Sequence, residues 1–190
     1  MTVTLITGPA RSGKSEWAEQ LAQTVAHRNE QTVIYIATAQ TNPNDTEWAA
    51  RSEKHRQRRP EHWQCQEVPF ELAEAIANTL PTHCLLVDSL GTWLANLIEQ
   101  DDDEWDRAER HLLTALSAAR SDVILVAEET GWGVVPAYKL GRRFRDRLGS
   151  LSRKVGVIAT DVYLVTGGYA LNISTLGQAC SPPYPSSRNS

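Results

Sequence analysis

Short runs rich in Val, Ile and Leu recur along the chain as "TVTLIT" (2–7), "TVIYIA" (32–37), "CLLVD" (84–88), "DVILVAE" (122–128) and "DVYLVT" (161–166). Near-continuous apolar runs of this length predict strands buried on both faces, as in a parallel sheet covered by helices. Stretches of helical character separate them, at about 14–26, 46–58, 70–79, 89–99, 104–119 and 137–154. The alternation predicts an α/β fold with a mostly parallel central sheet and helices on both faces. "YALNIST" (169–175) predicts a short antiparallel edge strand near the C-terminal end. No repeat or linker divides residues 1–175, which reads as one catalytic domain, and the Pro- and Ser-rich stretch 176–190 reads as a mobile tail.

Composition narrows the class. The chain has 190 residues, 41% hydrophobic and 22% charged, with a net charge of -4, values of an ordinary globular protein whose acidic balance disfavours nucleic acid as the main partner. Residues 162–187 are uncharged, but Gly, Pro and polar residues interrupt them, so no membrane span is expected. No basic, then apolar, leader precedes the first strand, which predicts a cytoplasmic protein. Cys65, Cys84 and Cys180 are odd in number and far apart, which fits reduced structural thiols better than zinc or redox work. The five acidic residues of "DDDEWD" (101–106) fit a helix start, where carboxylates interact favourably with the helix dipole.

The candidate chemistry begins where the first strand ends. "GPARSGKS" (8–15) is a G-x-x-x-x-G-K-S phosphate loop between a strand and a helix. Gly8, Pro9, Ala10, Arg11, Ser12, Gly13, Lys14 and Ser15 then wrap a nucleotide's phosphates, with Lys14 on the outer phosphate oxygens and the Ser15 hydroxyl as a magnesium ligand. Arg11 suits either a phosphate contact or a solvent-facing position. Magnesium in such sites takes an acid from the end of a hydrophobic strand, and "CLLVDSL" puts Asp88 there. Asp88 also suits a helix N-cap. Glu128 and Glu129 end another strand at the same sheet edge, where open α/β sheets bind ligands, and either can position an acceptor hydroxyl or the metal.

The second informative stretch is "RSEKHRQRRP" (51–60). On a helix Arg51, His55 and Arg58 or Arg59 share a face, and Pro60 ends it. Guanidinium groups around His55 lower its proton affinity and offer bidentate sites for phosphate oxygens. A neutral imidazole beside an α-phosphorus can displace pyrophosphate and form a covalent phosphoramidate. The alternative is a solvated surface histidine; His27, His62, His83 and His111 are read as structural. "EETGWGVVP" (128–136) suits a close approach to a bulky ligand or a plain turn, and the arginines of "RRFRDR" (142–147) suit a solvated face with ion pairs to Asp146 or a phosphate clamp.

Together "GPARSGKS", "HRQRRPEHW" (55–63), "VDSLGTWLANL" (87–97), "EETGWGVVP" and "GRRFRDRLG" (141–149) resemble the bifunctional adenosylcobinamide kinase / adenosylcobinamide-phosphate guanylyltransferase family of cobalamin biosynthesis, over residues 2 to about 173. The resemblance implies a RecA-like P-loop fold, homotrimers and two steps. ATP or GTP first phosphorylates the aminopropanol hydroxyl of the corrinoid adenosylcobinamide. GMP from GTP is then transferred to that phosphate through a GMP-histidine, with the histidine matching His55. It also implies nucleotide contacts at residues 8–15, at Ala37, Thr38 and Ala39, at Arg56, Gln57, Arg58 and Arg59, at Glu67 and at Asp88, with Mg2+ on Ser15 and Asp88. Ser152 and Arg153 stand where the family often has Asn-Gln, and Lys54 where some members have a second histidine. The rival readings are a simple P-loop kinase with no covalent intermediate and a GTP-binding switch; the latter is weakened by the lack of an N-K-x-D element.

Overall fold

The computed structural model describes residues 1–40 and 59–180. The helix expected over 46–58 lies outside the described residues, as do residues 181–190 of the tail. In chain order the elements are β1 (Val3–Gly8), α1 (Lys14–Asn29), β2 (Thr32–Ala37), β3 (Gln64–Glu67), α2 (Leu72–Ala77), β4 (His83–Asp88), α3 (Leu90–Asn96), α4 (Asp102–Ser117), β5 (Asp122–Glu128), α5 (Lys139–Ile158), β6 (Asp161–Thr166) and β7 (Tyr169–Asn172), with a final 3-10 turn at Ile173–Thr175.

The strands form one sheet in the order β3-β2-β4-β5-β1-β6-β7. Each neighbouring pair is parallel except β6 with β7, which is antiparallel. The fold is therefore the expected RecA-like P-loop architecture, in which a strand, here β5, lies between the phosphate-loop strand β1 and the acid-bearing strand β4. β3 is the one described strand that the hydrophobic pattern does not announce: "QCQE" is polar and exposed throughout. It sits at the sheet edge beside β2 and needs no apolar face, so hydrophobic periodicity carries no trace of it.

Alternation along the strands splits the core in two. Val3, Leu5, Ile36, Leu85, Val87, Val123 and Leu125 face the layer built by α2, α3, α4 and α5 through Leu72, Trp93, Leu112 and Leu148. Ile6, Val33, Tyr35, Leu86, Ile124 and Val126 face Ala18, Ala22 and Val25 of α1, with Trp63 packed beside them. Helices thus cover both faces, which is why the central strands carry apolar residues on both sides.

Local chemistry sets the helix starts. Asp101 caps α4, accepting from the Glu104 N–H at 2.8 Å while the Glu104 carboxylate accepts from the Asp101 N–H at 3.2 Å. The acidic run is the helix start expected of it. α3 is capped by Ser89, which corrects the alternative reading of Asp88 as a cap: the helix begins one residue later, and Asp88 is left to the strand end. The arginines of α5 do not form a uniform solvated face. Arg145 pairs with Asp146 at 2.8 Å, but Arg147 is buried against the Trp105 ring and reaches Asp102 at 2.9 Å, while Arg142 donates to the carbonyls of Pro136 and Ala137. Ser152 is buried on the same helix and Arg153 is exposed. Cys65, Cys84 and Cys180 are free thiols, and burial pushes the Cys84 thiol up to about 12. Among the described residues no helix is long and apolar enough to cross a membrane.

Candidate active site

β1 delivers the chain into the phosphate loop at Gly8. A Cβ there would collide with the Val165 carbonyl of β6, a backbone atom that cannot yield, so the strand end admits only glycine. Arg11 and Gly13 have φ of 60 and 89, left-handed values that fold the loop over the start of α1. Arg11 is exposed, whereas Lys14 is buried, with Nζ donating to the Pro9 carbonyl at 3.3 Å across the loop. Ser15 is half-buried in the first turn of α1. The Ser12 hydroxyl is buried and lacks a hydrogen-bond partner among the described residues. The loop therefore encloses a buried cation beneath a helix N-terminus, the arrangement that holds phosphate oxygens.

Strand register brings the other predicted residues to the same edge. Gly8 pairs with Glu128, Asp88 with Val126, Ala37 with Asp88 and Glu67 with Ala37, so the C-terminal ends of β1, β5, β4, β2 and β3 line up across five adjacent strands. Asp88 Oδ2 accepts from the Tyr35 hydroxyl at 3.0 Å. No hydrogen bond among the described residues engages its Oδ1. Burial, then the negative charge of Asp88, raises the Tyr35 phenol above its ordinary value, which keeps it a neutral donor to the carboxylate. The Arg59 guanidinium lies 3.3 Å over the Tyr35 ring. Arg59 is thereby tied to the acid-bearing edge, with a contact to Cys65 Sγ at 3.5 Å. His55, Arg56, Gln57 and Arg58 lie outside the described residues. Glu67 is exposed at the end of β3.

Thr38 is held by partners within the protein. It is fully buried, its hydroxyl is within hydrogen-bond distance of the Ser89 carbonyl, Ser89 N–H and Thr92 hydroxyl at 2.7, 2.9 and 2.5 Å, its N–H donates to Asp88, and its carbonyl accepts from Asn96. Every polar group of Thr38 is thus used inside the protein, in a frame that fixes the turn after Asp88. Ala37 and Ala39 flank it, half-buried.

The two glutamates diverge. Glu129, the first residue after β5, accepts from the Thr7 hydroxyl at 2.6 Å. Glu128 stays beside the loop. Its Oε1 accepts from the Ser89 hydroxyl at 2.6 Å, and its Oε2 is buried with no hydrogen-bond partner among the described residues. Burial raises its carboxyl above the ordinary value; the Ser89 hydrogen bond and the charge of Lys14 work in the other direction, and Asp88 adds to the rise. Ser89 and Thr92 were not singled out in the sequence; the signal for them was the Ser-x-x-Thr spacing directly after a strand.

The remaining candidates sit apart. Trp132 and Val134 of "EETGWGVVP" are exposed, and the chain turns at Gly131 and Trp132, with no neighbour that a Cβ on Gly131 or Gly133 would meet. His27 and His62 border a concavity that α1 shares with Val33 of β2 and Trp63, His83 lies by Thr82, and His111 faces Glu74 at 3.5 Å. Among the described residues no group of three or more His, Cys, Asp or Glu could hold a metal alone. Ser15 and the Oδ1 of Asp88 suit magnesium, which takes few protein ligands and completes its shell with phosphates and water.

Comparison with known proteins identifies the family. The chain is 39% identical over 184 residues to the bifunctional adenosylcobalamin biosynthesis protein CobU of Escherichia coli strain K12, covering 89% of this chain and 98% of that protein. It is 44% identical over 153 residues to the bifunctional adenosylcobalamin biosynthesis protein CobP of Pseudomonas aeruginosa, covering 80% and 85%. Among solved structures, the flagellar accessory protein FlaH from Methanocaldococcus jannaschii has a TM-score of 0.48 at 14% identity, covering 89% of this chain and 74% of that one. Residues 4–173 match the family described as cobinamide kinase / cobinamide phosphate guanyltransferase, CobU. With that match over most of its length, the chain belongs to the cobinamide kinase / cobinamide phosphate guanyltransferase family.

Proposed function

We propose that this chain carries out both family reactions at the edge of its sheet: phosphorylation of adenosylcobinamide by ATP or GTP, then transfer of GMP from GTP to the resulting phosphate. The observation that carries this reading is the phosphate loop with its buried Lys14 at the end of β1, with half-buried Asp88 brought to the same sheet edge by strand register. The loop amides of residues 8–15 and Lys14 bind the phosphates, with Arg11 at the exposed rim. Arg59, over the Tyr35 ring of β2, contributes to nucleotide binding together with Arg56, Gln57, Arg58, Ala37, Ala39 and Glu67. Thr38 acts through its frame. Magnesium held by Ser15 and Asp88 would neutralise phosphate charge and orient the oxygens.

In the transferase step a neutral ring nitrogen of His55 attacks the α-phosphorus. The nitrogen–phosphorus bond forms as the bond to the α–β bridging oxygen breaks, and pyrophosphate leaves with that electron pair. Guanidinium groups stabilise the charge on the phosphoryl oxygens, where preorganised donors contribute most. The corrinoid phosphate then attacks the histidine-bound GMP and frees the imidazole. The copies assemble as a cytoplasmic homotrimer; exposed Trp132, Val134, Val135 and Tyr138 supply apolar surface for a neighbour or for the bulky corrinoid.

The test is incubation with α-labelled GTP and magnesium, followed by denaturation. The wild type is expected to retain acid-labile, base-stable label, and His55→Ala to retain none. Absence of label on the wild type sinks covalent transfer and leaves a simple kinase or a GTP-binding protein.

A further inference from the structure

The two proposed reactions differ in one respect that the site can be tested against. In guanylyl transfer the nucleophiles are an imidazole nitrogen and then a phosphate oxygen, neither of which has a proton to lose. In the kinase reaction the nucleophile is an alcohol, whose proton must go somewhere as the new oxygen–phosphorus bond forms. A loop serving both needs a proton acceptor for one of them only.

Glu128 has the geometry for that task. Register sets it directly opposite Gly8, the first loop residue, on the strand between the loop strand and the Asp88 strand. Its two oxygens are not equivalent. The Ser89 hydroxyl has a single proton to give, and its 2.6 Å bond to Oε1 fixes that oxygen as an acceptor and orients the carboxylate. Ser89 is itself held by Thr92 and Thr38, so the clamp is part of the buried frame. A Cβ on Gly91 would collide with the Glu128 carboxylate, so the start of α3 leaves it room by having no side chain there. Oε2 is buried with no hydrogen-bond partner among the described residues, the state of an acceptor awaiting a donor. The neighbouring acids differ from it: Glu129 is bonded to Thr7, and Asp88 is bonded to Tyr35 through Oδ2, with its Oδ1 the oxygen proposed above for magnesium.

On the kinase/guanylyltransferase reading given above, we propose that Glu128 is the catalytic base of the kinase reaction, receiving the proton of the acceptor hydroxyl on Oε2, and that guanylyl transfer does not need it. The hydroxyl oxygen forms its bond to the γ-phosphorus as the bond from that phosphorus to the β–γ bridging oxygen breaks. The electron pair of that bond leaves on the nucleoside diphosphate. The proton passes to Oε2 and goes to water when the products depart.

The experiment uses the full chain with Glu128→Gln, which keeps the shape of the side chain. Phosphorylation of adenosylcobinamide is followed with γ-labelled nucleotide, and GMP transfer separately, with α-labelled GTP and adenosylcobinamide phosphate supplied directly. Phosphorylation at saturating substrate is expected to fall by about 100-fold or more, in the range of a lost general base, while GMP transfer falls by less than about tenfold. Equal losses in both steps, or a loss below about tenfold in phosphorylation, overturn the assignment. If the amide is not tolerated at this buried position, Glu128→Ala with added formate decides: recovery of phosphorylation by formate supports the base, and no recovery overturns it. A wild-type enzyme that performs neither step refutes the underlying reading instead, so the two failures are distinct.

Discussion

Asp122, the first residue of β5, ties three parts of the chain together. Its side chain is only 3% exposed. Oδ1 accepts from the Thr2 N–H at 2.6 Å and the Thr2 hydroxyl at 2.9 Å, and Oδ2 accepts from the Asn29 amide at 2.9 Å. The start of β1 and the end of α1, the two elements that flank the phosphate loop, are thus pinned to β5 by one carboxylate. Asp122→Ala removes the acceptor from three donors at a site with little access to water. Hydrogen bonds to a charged group contribute about 1.5–3 kcal/mol each and stranded donors cost about 1–3 kcal/mol. Some of the donors are part-exposed and regain water, so the expected loss is about 4 kcal/mol. At about 2–4 °C per kcal/mol for a chain of this size, Tm falls by about 8–16 °C. Asp122→Asn keeps two hydrogen bonds in place, and Asn29 can turn its amide to accept the third, so only charge assistance is lost, about 1.5 kcal/mol. Burial alone would raise the Asp122 carboxyl, but the bonds from Thr2 and Asn29 outweigh it and hold it below the ordinary value. A depressed carboxyl stabilises the fold above its unfolded value of about 3.9 and loses that contribution as pH falls through its folded value. The gap between wild type and Asp122→Asn is therefore full at pH 7 and shrinks below about pH 4. Scanning calorimetry at fixed protomer concentration measures both effects. An Asp122→Ala protein within about 2 °C of wild type at pH 7, or an Asp122→Asn gap that widens in acid, refutes the reasoning.

Thr38→Val keeps the shape of a fully buried side chain and removes a hydroxyl close to both polar groups of the Ser89 backbone. Stability should fall by about 1–3 kcal/mol, with GTP affinity by calorimetric titration changing less than about threefold; a large affinity loss at unchanged Tm would make Thr38 a ligand contact after all. Tyr35→Phe removes the donor to Asp88 Oδ2. The magnesium concentration giving half-maximal activity should rise severalfold while the rate at saturating magnesium stays within about threefold, and an identical magnesium curve would show that Tyr35 does not orient the acid.

Much of the fold was legible in the sequence because buried parallel strands need apolar residues on both faces, and such runs stand out at 2–7, 32–37, 84–88 and 122–128. The phosphate loop was legible for a different reason. Its function is carried by local backbone and by residues a few positions apart, so Gly8, Gly13, Lys14 and Ser15 declare themselves without knowledge of the fold. The acid at the end of β4 followed from the same local logic, an aspartate closing an apolar run. β3 left no trace, since an exposed edge strand is stabilised by main-chain bonds to β2 and not by an apolar pattern. Long-range contacts distinguish Glu128 from Glu129 where the sequence does not. Consecutive residues look alike in one dimension, but their partners differ: Glu128 is bonded to Ser89 and Glu129 to Thr7. Likewise the resemblance implies a nucleotide contact at Thr38, and only the packing of β2 against the turn after Asp88 shows the internal bonds that its polar groups make. Local sequence determined which chemistry this chain can hold; tertiary structure decided which side chains have an atom left to perform it, because that depends on partners far away along the chain.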